Sequence, residues 1–144
     1  MPQTIIRPKS FTGLMALYES NYLRLLQLVP ELTHIDGCYR SRVAGDCDLL
    51  VDVIERCRYT VTLSLTYEIE NETETAIEPD LIVRAYLDGE LAEAMSLGSE
   101  QRQRYLRSLL TPAERELHAR WRRNIMLNKW LEYLSDKGHL VLNH

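Results

Sequence analysis

Residues 58–69 alternate between polar and apolar side chains without a break. Tyr59, Val61, Leu63, Leu65, Tyr67 and Ile69 are apolar, and Arg58, Thr60, Thr62, Ser64, Thr66 and Glu68 are polar. Successive side chains on a strand point to opposite faces, so such a run buries one face and wets the other. Strands of a parallel α/β sheet, covered on both faces, read instead as continuous apolar runs. The alternation therefore predicts an antiparallel sheet covered on one side. It carries no chemistry of its own.

The remaining pattern is that of one α+β domain over residues 1–144, with residues 1–10 as a frayed tail. Leu14, Leu17, Tyr18, Tyr22, Leu25, Leu28 and Val29 share one arc of a helix over 11–29, stopped by Pro30. Asn21 falls inside that arc, where a hydrocarbon is expected. Strands are expected at 38–44, 47–55, 58–69, 81–87 and 90–97. A connection of Arg56, Cys57 and Arg58 would pair Val53 with Val61, Val51 with Leu63 and Leu49 with Leu65. A two-residue turn would bury Asp52 instead. Residues 70–80 read as an acidic loop, and Asp88-Gly89 as a type I′ hairpin turn. Thr111-Pro112-Ala113-Glu114 has the cap, first-turn proline and third-position glutamate of a helix start. That helix should run to about Lys137 and stop at Gly138, with a shorter one before it over about 100–110. The expected fold is α+β: an antiparallel meander of about five strands, with an N-terminal helix and a long C-terminal helix packed on one face.

Composition narrows the setting. No apolar run approaches the length of a membrane span, and the first residues lack the apolar core of a secretory signal. Three cysteines without a CxxC spacing suit a reduced, cytoplasmic protein better than a disulfide scaffold. Residues 1–98 carry 8 basic and 16 acidic side chains, whereas 99–144 carry 9 and 5. Either the two halves complement each other, or the basic one faces an anionic partner.

Three groups of residues stand out. On the long helix, Asn124 and Asn128 sit within the apolar arc of Leu117, Trp121, Ile125, Leu127, Leu131 and Leu134. Met126, Trp130 and Tyr133 lie on the other side, either under another element of the chain or as a homodimer seam anchored by Trp130. In the 81–97 hairpin Arg84 faces Glu93, and Asn21 and Asn124 would complete one polar cluster between sheet and helices. The cluster is either architectural or a site for a small anionic ligand held by Arg84 and Arg58. The third group is Arg120-Trp121-Arg122-Arg123 with Arg102, Arg104, Arg107 and Arg115, a solvated face or a grip for nucleic acid. His34, His118, His139 and His144 show no metal-ligand spacing, and no phosphate loop or nucleophile elbow is present. Neither a metal nor a cofactor is expected.

Several short elements taken together resemble the YqiB-like proteins, a bacterial family of unknown function. They are Phe11, Glu19, Asn21, Leu25 and Pro30; Arg58, Tyr59 and Thr60; Val83, Arg84, Tyr86, Asp88, Ala92 and Glu93; and Asn124, Leu127, Trp130, Leu131 and Gly138. The similarity spans roughly residues 10–138, and the chain departs from it between Pro112 and Asn124, where the segment is shorter. The resemblance implies a small cytoplasmic protein and marks Asn21, Arg84, Glu93 and Asn124 as a shared cluster. It implies no activity, substrate or cofactor. The function expected first is a non-enzymatic binding or regulatory module that self-associates or meets an unknown protein partner. A small-anion site or enzyme around Arg84 comes second, and nucleic-acid binding through the C-terminal arginines third.

Overall fold

The computed structural model describes residues 11–70, 75–97 and 112–142. Helix α1 (Phe11–Leu28) leads into five strands, β1 (Cys38–Ser41), β2 (Asp48–Arg56), β3 (Thr60–Glu70), β4 (Thr75–Tyr86) and β5 (Leu91–Leu97), followed by helix α2 (Pro112–Asp136). The strands form one antiparallel sheet in the order β1-β2-β3-β4-β5, an uncrossed meander. The fold is α+β, as the periodicity indicates. The helix expected over 100–110 lies outside the described residues.

One face of the sheet carries the core. Leu49 and Val51, Val61, Leu63, Leu65 and Tyr67, Leu81, Val83 and Ala85, and Ala92 and Ala94 are all buried. Leu25 and Leu28 of α1 and Leu127, Trp130, Leu131 and Leu134 of α2 close over them. Leu63 and Leu65, at the centre of the alternating run, are 0% exposed. Small residues line the last strand, and Ala92 and Ala94 let the helices come close to its backbone.

The register differs from expectation in instructive ways. Val53 pairs with Leu63, Val51 with Leu65 and Leu49 with Tyr67, two residues from the expected alignment. An even shift keeps every side chain on its face, so the apolar pattern alone does not choose between the two. Next to the turn Arg56 pairs with Val61, three residues from the expected alignment, and a bulge between Val53 and Glu55 takes one back. Cys57 N–H donates to Thr60 O across the turn. Tyr59 therefore sits in the turn, half exposed, not on the apolar face. The hairpin after β4 pairs Tyr86 with Leu91, Ala85 with Ala92 and Arg84 with Glu93, as expected. Its turn is not type I′, because Glu90 (φ 55°) takes the left-handed conformation while Asp88 and Gly89 do not.

The segment read as an acidic loop is largely ladder: Glu68 pairs with Ile77, Ile69 with Ala76 and Glu70 with Thr75. Ladder hydrogen bonds need no apolar face, and Thr75 and Ile77 are β-branched residues suited to an extended backbone. Pro79 falls in the register shift after Thr66, where one missing N–H costs the ladder little. The connection from α1 to β1 is held by the last residue of β2. Arg56 donates to the Leu32, Thr33 and Ile35 carbonyls, at 3.1 Å, 2.8 Å and, from Nε, 2.8 Å.

Candidate functional site

Strand β5 ends the sheet, so the backbone groups along its outer side have no strand to pair with. Side chains take that place. Asn21 Nδ2 donates to Ala92 O (3.3 Å), and Ala94 N–H donates to Asn124 Oδ1 (2.7 Å). Asn21 Nδ2 also reaches Asn124 Oδ1 at 3.2 Å, and Arg123 Nε points to Ala94 O at 3.4 Å. Asn128 Nδ2 donates back to Asn21 Oδ1 (3.0 Å) and Ser20 Oγ (2.9 Å), and Asn124 Nδ2 to Arg120 O (2.8 Å). Both Asn21 and Asn124 are 0% exposed. They satisfy buried backbone that would otherwise stand bare.

Arg84 and Glu93 face each other on the opposite side of the same strand, so the expected single cluster is split in two by β5. No ion pair joins them. Tyr86 OH donates to Glu93 Oε1 (2.6 Å), and Arg84 Nε donates to Thr62 Oγ1 (3.3 Å). Burial, and then the Glu93 carboxylate, pushes the Tyr86 phenol above its ordinary range. Arg58 is elsewhere, stacked 5.2 Å over the Tyr59 ring in the β2–β3 turn. It shares no site with Arg84.

A further group gathers where α1 and α2 pass Glu93. Tyr18 is 5% exposed, and its hydroxyl makes no well-formed hydrogen bond among the described residues. Burial first, and the nearby Glu93 carboxylate second, pushes that phenol up to about 12, while Arg120 pulls the other way. Arg120 is engaged by Glu116 at 2.5 Å, which holds its guanidinium above the usual range. Arg123 is half-buried, and that burial lowers its pKa.

The second polar centre was not legible in advance. Gly138 (φ +93°) ends α2 in a Schellman turn, with Gly138 N–H on Ser135 O and His139 N–H on Leu134 O, both 3.0 Å. The chain then doubles back, and Val141 N–H bonds Leu28 O at 2.8 Å. This path delivers the fully buried His139 ring between Ser41 of β1 and Asp46 of the β1–β2 connection. Its Nδ1 meets Ser41 Oγ at 2.9 Å and its Nε2 meets Asp46 Oδ2 at 2.8 Å. Tyr67 OH donates to the same Asp46 oxygen at 2.5 Å, and Leu140 N–H donates to Ser41 Oγ at 3.2 Å. In the neutral ring the Ser41 proton goes to Nδ1 and the Nε2 proton to Asp46. A hydrolase relay places serine on Nε2 and the acid on Nδ1. Here the order is reversed and Ser41 is buried, so the group is a clasp for the chain.

Beside the clasp lies a groove of about 600 Å³ lined by Arg42, Gly45, Asp46, Cys47, Asp48 and Glu68. Burial alone would raise the Asp46 carboxyl, but bonds from Tyr67, His139 and the Cys47 N–H hold it below the usual carboxylate range. Arg40 bridges Asp48 (2.8 Å) and Glu68 (2.5 Å), and Arg42 reaches Asp48 at 3.3 Å. Among the described residues no group of His, Cys, Asp and Glu is arranged to hold a metal.

The remaining candidates are placed as follows. Trp130 is 8% exposed and sits edge-on to Tyr67, ring centres 5.5 Å apart, within the core. Met126 and Tyr133, expected beside it on a seam, are 43% and 44% exposed. Of the basic run, Arg120 and Arg123 turn toward Glu116 and Ala94, while Arg122 is exposed. Cys38, Cys47 and Cys57 are free thiols. No helix among the described residues is long and apolar enough to cross a membrane.

Residues 24–140 match the family described as a protein of unknown function, DUF1249. The chain belongs to that family. No curated protein and no solved structure matches it. The DUF1249 match takes in β1 to β5, α2 and both partners of the His139 clasp, so the groove lies wholly within the family domain.

Proposed function

We propose that this DUF1249 protein is a non-enzymatic, cytoplasmic binding module whose ligand lies in the groove beside Asp46 and carries positive charge. The observation behind this reading is the lining itself. Asp46, Asp48 and Glu68 line a concave volume of ligand size together with Arg42, which pairs with Asp48, and Asp46 is held ionised at the wall. The serine and histidine beside the groove, Ser41 and His139, are occupied by each other, by Asp46 and by Leu140 N–H. The similarity to YqiB-like proteins overlaps the DUF1249 match and fits a small module without a cofactor.

The test is titration with a short arginine-rich peptide, followed through the amide shifts of Gly45 and Cys47. Saturable shifts confined to the groove, weakened several-fold in Glu68→Gln, are the expected result. Shifts scattered over the surface, or an unaffected Glu68→Gln, would remove the groove from consideration. A second reading, self-association, draws on the exposure of Met126 and Tyr133. Light scattering on a Met126→Glu, Tyr133→Lys double variant tests it, since a seam there would lose its dimer mass.

A further inference from the structure

We propose that Tyr18, Arg120 and Arg123 form a second, separate site that takes a small anion bearing a carboxylate or phosphate group. The Tyr18 hydroxyl is shut away from bulk water and makes no well-formed hydrogen bond among the described residues, only looser contacts with Glu93 and Arg120, although buried phenols normally find a full partner. Its charged neighbours are Glu93 and Arg120. Arg123 adds a half-buried guanidinium whose sole hydrogen bond among the described residues is the long one from Nε to Ala94 O (3.4 Å). No carboxylate lies within ion-pair distance of it among those residues. Burial therefore weighs on this cation without the bonds that usually offset it.

Arg120 and Arg123 stand three positions apart on α2, so their side chains emerge as neighbours on one helix face. Arg120 commits Nη2 to Glu116 and keeps its other nitrogens. The donors still open are the remaining nitrogens of the two guanidinium forks, beside a phenol that is only loosely engaged, and this set matches the several lone pairs of a carboxylate or phosphate. The two carboxylates facing the group are Glu116, held by Arg120, and Glu93, held by Tyr86. With Arg84 on the far side of Glu93, the balance among the described residues here is three cations to two anions, in a chain whose net charge is −4.

Glu93 makes the proposal sharp. As a fixed negative group beside the phenol, it opposes an incoming anion, so Glu93→Gln should tighten binding. The experiment is calorimetric titration of the full chain at low ionic strength with inorganic phosphate and, separately, succinate; circular dichroism confirms that each variant folds. Expected are saturable binding of at least one anion, about tenfold weaker binding in Arg123→Met, a smaller loss in Tyr18→Phe, and a gain in Glu93→Gln. The preferred anion tells phosphate from carboxylate ligands. Absence of saturable binding by the folded parent would overturn the proposal, as would affinity indifferent to Arg123 and Glu93. A folded but destabilised Arg123→Met that retains full affinity would reduce Arg123 to a prop for the β5 edge, and would overturn it equally.

Discussion

Replacing Asn124 by leucine tests how the β5 edge is closed. The substitution puts a hydrocarbon where the helix arc alone asks for one, yet it removes the acceptor that Ala94 N–H reaches at 2.7 Å. A buried N–H left bare costs about 1–3 kcal/mol, and the lost bond from Asn21 about 0.5–1.5 kcal/mol more. A methyl carbon also cannot sit as near to Ala94 N as the amide oxygen does, so the strand must shift, at about 1–3 kcal/mol. Against these, the added apolar burial returns at most about 1.5–3 kcal/mol. The net is a destabilisation of about 2–4 kcal/mol, and alanine, without that return, should cost about 3–5 kcal/mol. Urea unfolding measures both: the midpoint should fall by about 1–2 M for leucine at an unchanged slope. The Ala94 amide should lose hydrogen-exchange protection in both variants. Leucine as stable as asparagine would show that the edge does not depend on this amide, and the account of the site would fail with it.

The clasp and the core give further expectations. Gly138→Ala meets no atom within 4 Å, so its cost is the left-handed backbone alone, about 1 kcal/mol after the gain from a stiffer unfolded chain, read as a lower urea midpoint. Asp46 titrates below its unfolded value of about 3.9, so its stabilisation is present above that pH and is lost as pH falls through the folded value. Tyr67→Phe, lacking one bond that holds the carboxylate, should be less stable than the parent at neutral pH. The gap should narrow in acid, and a gap independent of pH would contradict the coupling. Trp130→Ala should lower stability by about 3–5 kcal/mol, as a core truncation does, with no change of mass that a lost seam would give.

The sheet was legible because its core face repeats every second residue from Val61 to Tyr67, and nothing in the final packing disturbs that period. Asn21 and Asn124 were legible as anomalies, polar residues in apolar arcs. Their partners were not, because Ala92 and Ala94 contribute backbone, which side-chain patterns do not encode. Arg84 and Glu93 were paired correctly by the turn, but assigned to the helix side. Period two fixes which residues share a face, and the apolar neighbours Ile82, Tyr86, Leu91 and Met95 suggested cover that the two described helices give to the other face. Trp130 was left between cover by another element and a homodimer seam because α2 is apolar on two sides, and only the position of the Tyr67 ring shows how Trp130 is covered. His139 carried no signal at all. It follows Gly138 directly, and its partners lie 93 and 98 residues earlier in the chain.

The two amides that seal β5 belong to helices on either side of the sheet in sequence, and they meet across 103 residues. Because α2 is synthesised after β5, the growing chain carries a bare strand margin until Asn124 has left the ribosome. During that interval any extended segment could zip onto it, from a neighbouring nascent chain or from another copy. Tolerance of crowded synthesis should therefore depend on how quickly the last helix docks, and chaperone demand should peak just before it does.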